Sequence, residues 1–252
     1  MKKRVLALST IALLLVGCHH EGDVKAEHSK ASSHEAHWGY GTDNGPAHWE
    51  EFSKTCGAGI HQSPINIIPG KTMSMDHSYD LSMHEDVSGM AKIIDNGHSI
   101  KVTPEHAGSI TFHGEEFNLL QFHFHGKSEH TVDSKRYDMV AHLVHQNPIT
   151  KQLAVVAVFF EEGEASPILD TVIDNVEKTA KLNPQDLLPS DTSHYYHYIG
   201  SLTTPPCSEN VQWYLLKTPK TASAEQIEHF RKFYVDNERP VQELHDRKVE
   251  SN

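Results

Sequence analysis

QFHFHGKSEHT, residues Gln121 to Thr131, decides how the chain is read. Successive side chains of an extended segment point to opposite faces, so a strand here puts Gln121, His123 and His125 on one side. The spacing predicts that strand over Asn118 to His125. Two further runs, Tyr137 to His145 and Leu153 to Phe160, read as strands as well, and the first carries Val140, His142 and Val144 on a single face.

A His-x-His pair on a strand aims two imidazoles the same way, and a third histidine from a neighbouring strand completes three corners of a tetrahedron. Three neutral nitrogen ligands leave the fourth corner open to water. An open corner is the mark of a catalytic site, because the metal charge lowers the pKa of that water from about 15.7 to about 7. The spacing alone is weak evidence. Cupins and copper/zinc superoxide dismutases share it, and paired histidines on a sheet face can simply be hydrogen-bonded.

Outward from this centre, the sequence from His37 onward has short β-rich stretches separated by Gly, Pro, Asn and Asp. Two helices are predicted. Ser166-Pro167 reads as an N-cap and first turn ahead of Leu169, Val172, Ile173 and Val176. Ser223 with Gln226 forms a capping box before Ile227, Phe230 and Tyr234. No internal repeat and no Gly-rich phosphate loop is found. Periodicity alone supports a mainly β chain with a few helices.

Residues 1–17 read as a secretory signal, with basic Lys2, Lys3 and Arg4, an apolar run from Val5 to Val16, then Gly17. Leu15-Val16-Gly17-Cys18 resembles a bacterial lipobox, which implies cleavage before Cys18 and acylation of its thiol. The expected location is then the periplasm or cell envelope, with a lipid at Cys18 as the membrane contact. Residues 18–36, with His19, His20, His28 and His34, read as a solvated tether. Three cysteines in an exported chain leave one unexplained unless Cys18 carries lipid, and Cys56 and Cys207 are then free to pair.

A length of 252 residues allows one domain behind a leader, expected over 37–249. The net charge of -12 disfavours nucleic acid as a partner. The 21 histidines are the anomaly of the composition, several times the usual number.

Taken with HLVH at His142 to His145 and SLTTPPC at Ser201 to Cys207, the opening stretch closely resembles the α-class carbonic anhydrases. HWGYG from His37, NGPAHW from Asn44, QSPINI from Gln62, DNGH from Asp95, VQWYLL from Val211 and ERPVQ from Glu238 extend the likeness over about residues 37 to 247. The resemblance implies a large, twisted, mostly antiparallel sheet of about ten strands with small peripheral helices. It implies reversible hydration of carbon dioxide to bicarbonate and a proton, by attack of zinc-bound hydroxide.

On the same resemblance, His123, His125 and His142 are the Zn2+ ligands, and Gln121 orients His123. Thr203 accepts from the hydroxide while donating to Glu129, and Thr204 contacts bicarbonate. Val144, Val155, Leu202, Val211 and Trp213 form the apolar wall that an uncharged substrate needs. One proton must leave in every cycle, a task suited to an imidazole, and His98 matches the shuttle. Tyr40, Asn96 and Lys101 align with positions lining the water network, although Lys101 is a charged choice beside an imidazole that must carry a proton. Oligomeric state is open between monomer and homodimer.

One position departs from the pattern. Two residues before the third ligand the family usually carries a glutamate that accepts from that ligand's other ring nitrogen, and here the residue is Val140. His142 must then turn to water or a backbone carbonyl, or leave its donor unpaired, and faster metal exchange is expected. Two rival readings remain. A non-enzymatic relative would lose zinc ligands, which this chain keeps, and a His-rich zinc-binding lipoprotein would depend on residues 19–36.

Overall fold

β-Branched and aromatic residues dominate the segments that pair, and they do so on both faces of one large sheet. The computed structural model describes residues 37–75, 87–112 and 114–252, so the leader, Cys18 and the tether lie outside the described residues. Residues 36–252 form one compact unit. No described helix is long and apolar enough to cross a membrane.

Among the described residues the main sheet has 12 strands, most of them on one hydrogen-bonded path. That path runs β10 (Lys178–Leu182), β3 (Gly89–Asp95), β4 (Ile100–Pro104), β6 (Glu115–His125), β8 (Met139–Gln146), β9 (Leu153–Glu162), β12 (Glu209–Leu216), β11 (Tyr195–Ser201), β14 (Glu250–Ser251) and β2 (Met73–Ser74). β5 (Ser109–Phe112) pairs with β6, and β13 (Lys220–Ala222) pairs with β9. Most pairs are antiparallel, but β9 and β12 run parallel at the centre, with Val155 opposite Trp213. A separate parallel pair joins β1 (Asn66–Ile67) to β7 (Thr131–Val132).

The three strands expected from sequence are β6, β8 and β9; β6 starts earlier and β9 ends later than expected, while β8 starts two residues later, at Met139, and ends one later. Their register creates the site. His123 lies directly across from His142, Gln121 from Val144 and His125 from Val140, after a bulge between Leu119 and Gln121. The bulge frees Leu120 from the pairing and restores alternation for the histidines.

Alternation also separates two cores. Phe122, Phe124, Ala141, Leu143, Val156 and Val158 pack with Leu169, Val172, Ile227 and Phe230 from the helices on one face. Val140, Val144, Val155, Val211 and Trp213 pack with Ile65, Ile67 and Tyr198 on the other. A third cluster holds Trp49, Cys56 and Cys207, packed with Trp38, Tyr40 and Phe52. It lies by two short helices, α1 (Trp49–Phe52) and α2 (Lys54–Ala58).

The longer helices are α3 (Pro167–Asp174) and α4 (Ala224–Phe233). The capping box of α4 is present, with Ser223 accepting from Gln226 N and the Gln226 side chain accepting from Ser223 N. Ser166 precedes α3 as expected, but its side chain caps nothing. Instead Gln226 Oε1 accepts from Ser166 N and its Nε2 donates to Ser166 O, so one glutamine caps its own helix and docks the other. Val176, expected on α3, lies beyond its end.

Cys56 and Cys207 form a disulfide with Cα atoms 5.1 Å apart.

Candidate metal centre and active-site cleft

Two histidines of the triad are aimed by what the second ring nitrogen meets. His123 Nδ1 donates to Gln121 Oε1 at 3.0 Å, and His125 Nδ1 donates to the Asn237 carbonyl at 2.6 Å. Both partners can only accept, so both rings carry a proton on Nδ1 and present Nε2 to the triad. Glu129 Oε2 lies 3.4 Å from His125 Nε2 and 3.7 Å from His142 Nδ1, which places those two nitrogens on one side.

The potential ligand atoms of His123, His125 and His142 all lie within 4.8 Å of one another. A tetrahedral ion bonded at about 2.0–2.1 Å holds such nitrogens about 3.4 Å apart, so small ring rotations close the set. Burial acts in the same sense. It pushes the His123 ring down to about 3, aided by His125 and Lys101, and holds His142 well below its ordinary value, so both are neutral at pH 7. His125 Nε2 is buried without a hydrogen-bond partner, as expected of an atom reserved for a cation. The residues therefore fit a divalent metal.

Glu129 is fully buried, and its Oε1 accepts from Arg239 N at 2.9 Å. Burial raises its pKa, while His125, the Arg239 N–H and the Thr203 hydroxyl oppose that rise. Thr203 is buried at the start of the turn after β11, where Leu202 N donates to Ser208 O and Cys207 N to Thr204 O. Arg239 is itself held by Gln62 Oε1, Ser63 O and Cys56 O at 2.8–2.9 Å.

Away from Glu129 the triad opens on a cleft of about 140 Å³ lined by Tyr40, Asn96, His98, Lys101, His123, His125 and Thr204 among others. Lys101 is the register partner of His123 across β4 and β6. His98 is stacked on Trp38, with ring centroids 3.6 Å apart and planes within 11°. Asn96 Oδ1 accepts from His98 N, which fixes the turn. Partial burial lowers the His98 pKa, followed by the influence of His37, with Asp95 opposing. Burial raises the pKa of Tyr40 strongly, so it remains a neutral phenol.

The apolar wall also assembles. Val144, Val155, Val211 and Trp213 are buried in one cluster with Leu202 packed against it, and Trp213 lies 5.0 Å from the His142 ring. Tyr40, Asn96, His98, Lys101, Gln121, His123, His125 and Thr204 thus line the cleft, while the apolar residues named from the sequence share the cluster that borders His142. Val140 is fully buried beside His125 in register, and His142 Nε2 has no hydrogen-bond partner.

Three residues were not anticipated. Asn237 is fully buried, and its side chain joins His98 O, Phe124 O and Gly126 N while its carbonyl holds His125. Arg239 presents the N–H that fixes Glu129, and Trp38 is the platform for His98. ERPVQ contains Arg239 but assigns it no role, and nothing local in sequence marks Asn237.

The eukaryotic-type carbonic anhydrase family model matches residues 44–252. A carbonic anhydrase of Pectobacterium atrosepticum is 37% identical over 250 residues, covering 94% of this chain and 96% of that protein. One from Klebsiella pneumoniae is 42% identical over 85% of this chain and 90% of its own length. The α-carbonic anhydrase of Thermovibrio ammonificans, solved with the inhibitor sulfanilamide, superposes with a TM-score of 0.79 at 41% identity, covering 85% of this chain and 99% of that one.

Proposed function

Since this chain belongs to the eukaryotic-type carbonic anhydrase family, we propose that it hydrates carbon dioxide reversibly to bicarbonate and a proton, with Zn2+ held by His123, His125 and His142. What carries the reading is the convergence of three imidazoles, their ligand atoms within 4.8 Å of one another, flanked by a buried carboxylate and open to a cleft. Three nitrogen donors with a free fourth position suit zinc. When bound, zinc supplies a Lewis acid that acidifies water, so that a nucleophile for carbon dioxide exists at neutral pH.

The rest of the chemistry belongs to side chains. Glu129, fixed by the Arg239 N–H, accepts the Thr203 proton, which leaves the threonine oxygen as an acceptor that orients the nucleophile. Val144, Val155, Leu202, Val211 and Trp213 exclude water from the place an uncharged substrate occupies. Thr204 offers a hydroxyl to the bicarbonate product. His98 relays the released proton along the cleft past Tyr40 and Asn96, and Trp38 holds the ring that does it.

Export and acylation at Cys18 are proposed from the leader sequence, and incorporation of a palmitate analogue that is lost in Cys18→Ser tests them. For the reaction, stopped-flow hydration of carbon dioxide by zinc-loaded and chelator-treated protein is the direct test. Activity that requires one zinc per chain and survives deletion of residues 19–36 is expected. Activity indifferent to the metal, or lost with that deletion, overturns the reading.

A further inference from the structure

His142 stands with Nδ1 toward the triad, near Glu129, so its Nε2 points the opposite way, into the sheet face that Val140 occupies. That nitrogen is buried and has no hydrogen-bond partner, and the same is true of Nδ1 of His130, five residues beyond His125. The two rings are 6.3 Å apart between centroids, and both border Trp213, at 4.6 Å for His130 and 5.0 Å for His142.

Proton bookkeeping makes both nitrogens donors. Ser63 Oγ accepts from Ser201 N at 3.0 Å, and the assignment that also gives its own proton a partner directs it to Tyr198 Oη, 2.6 Å away. Tyr198 then donates to His130 Nε2, also at 2.6 Å, and the His130 proton must sit on Nδ1. A neutral His142 that ligates through Nδ1 carries its proton on Nε2. Two donors cannot bond each other. With a ring radius of about 1.2 Å the nitrogens are also no nearer than about 4 Å, beyond the reach of about 3.2 Å for a direct bond, and one bridging molecule needs them within about 6 Å, which the centroid separation allows.

We infer that one buried water, accepting from His142 Nε2 and His130 Nδ1, takes the place of the carboxylate that Val140 does not supply, which makes His130 a positioning residue for the metal. The strut of His142 is then the chain Ser63, Tyr198, His130 and water, whereas His123 and His125 have direct protein acceptors. Outer partners of ligating histidines fix ring orientation and tautomer, and a movable water does so less firmly than a fixed side chain. The inference rests on the assignment of His142 as a zinc ligand.

The test is the rate at which the zinc-loaded full chain releases metal to a chromogenic chelator, in a double-mutant cycle. Val140→Glu places an acceptor between the rings and slows release about 10- to 100-fold. Val140→Ala, which adds room but no acceptor, does not slow it. His130→Phe speeds release about 10-fold in the native background and much less in the Val140→Glu background. His130→Gln, whose amide still donates, restores most of the native rate and serves if the phenylalanine variant does not fold. Equal effects of His130→Phe in both backgrounds, no effect in either, or slowing by Val140→Ala overturns the inference. Failure to bind one zinc per chain overturns the metal reading instead, so the two failures are distinguishable.

Discussion

Asn237 is a single residue that touches both a candidate metal ligand, His125, and the loop carrying the proposed shuttle, His98. Its carbonyl holds His125, and its amide reaches the backbone on either side of that ligand and the carbonyl of His98. Asn237→Ala keeps the carbonyl but strands buried backbone groups, so a stability loss of about 2–4 kcal/mol in urea unfolding is expected. The role proposed for His98 differs, being a proton path rather than support. In His98→Ala, hydration in weak buffer falls by about 100-fold, the lower end of what a positioned acid–base group contributes, and added imidazole restores it. Loss that imidazole does not restore would assign His98 to structure. At this scale the sequence was legible where chemistry dictates residue type and spacing, as for His123, His125 and His142. It was silent where a residue acts through its backbone, since an Asn237 carbonyl or an Arg239 N–H has no signature in residue identity.

The strand β8 shows how one element carries site and core together. Val140, His142 and Val144 face the cleft side while Ala141 and Leu143 face the helices, the alternation expected from Tyr137 to His145. His145 continues the strand and is fully buried, its Nδ1 donating to Leu143 O. Burial pushes its pKa down to about 3 from an ordinary 6.5. A depressed histidine pKa means that the unfolded chain takes up a proton before the folded one does. Its share of stability is therefore complete above about pH 6.5 and lost progressively as pH falls toward 3. Urea unfolding at pH 7.5, 6.0 and 5.0 should show that decline, and His145→Phe should flatten the slope by up to one proton. A slope unchanged in the variant would place the titration elsewhere. Element positions were read well from such periodicity, but element supports were not. Gln226 serves the capping box its spacing announces and also docks α3, a tertiary task that no local pattern encodes.

For the molecule as a whole, the Cys56–Cys207 bridge spans 151 residues and joins α2 to the turn that carries Thr203 and Thr204. Closing so long a loop contributes about 5 kcal/mol in the chain-entropy model. Reduction, or Cys56→Ser with Cys207→Ser, should lower the unfolding free energy by up to that amount, read as a lower denaturant midpoint, and a midpoint that does not move would mean the third cluster holds this corner without the bridge. The mixed sheet is the feature that local reading left out. Strand-sized runs predict neighbours, yet the parallel contact of β9 with β12 depends on residues more than fifty positions apart.

That parallel contact also sets an order of assembly. As the chain emerges N-terminus first, His123, His125 and His142 are all present before Trp213, Asn237 or Arg239 has been made. The strand carrying Val155 must wait for its central neighbour, and such distant pairings are slow to form. A metal ion arriving early would meet three imidazoles with only part of their wall and without Asn237 or Arg239, and would gain its full hold only when the last quarter of the chain had closed over the sheet.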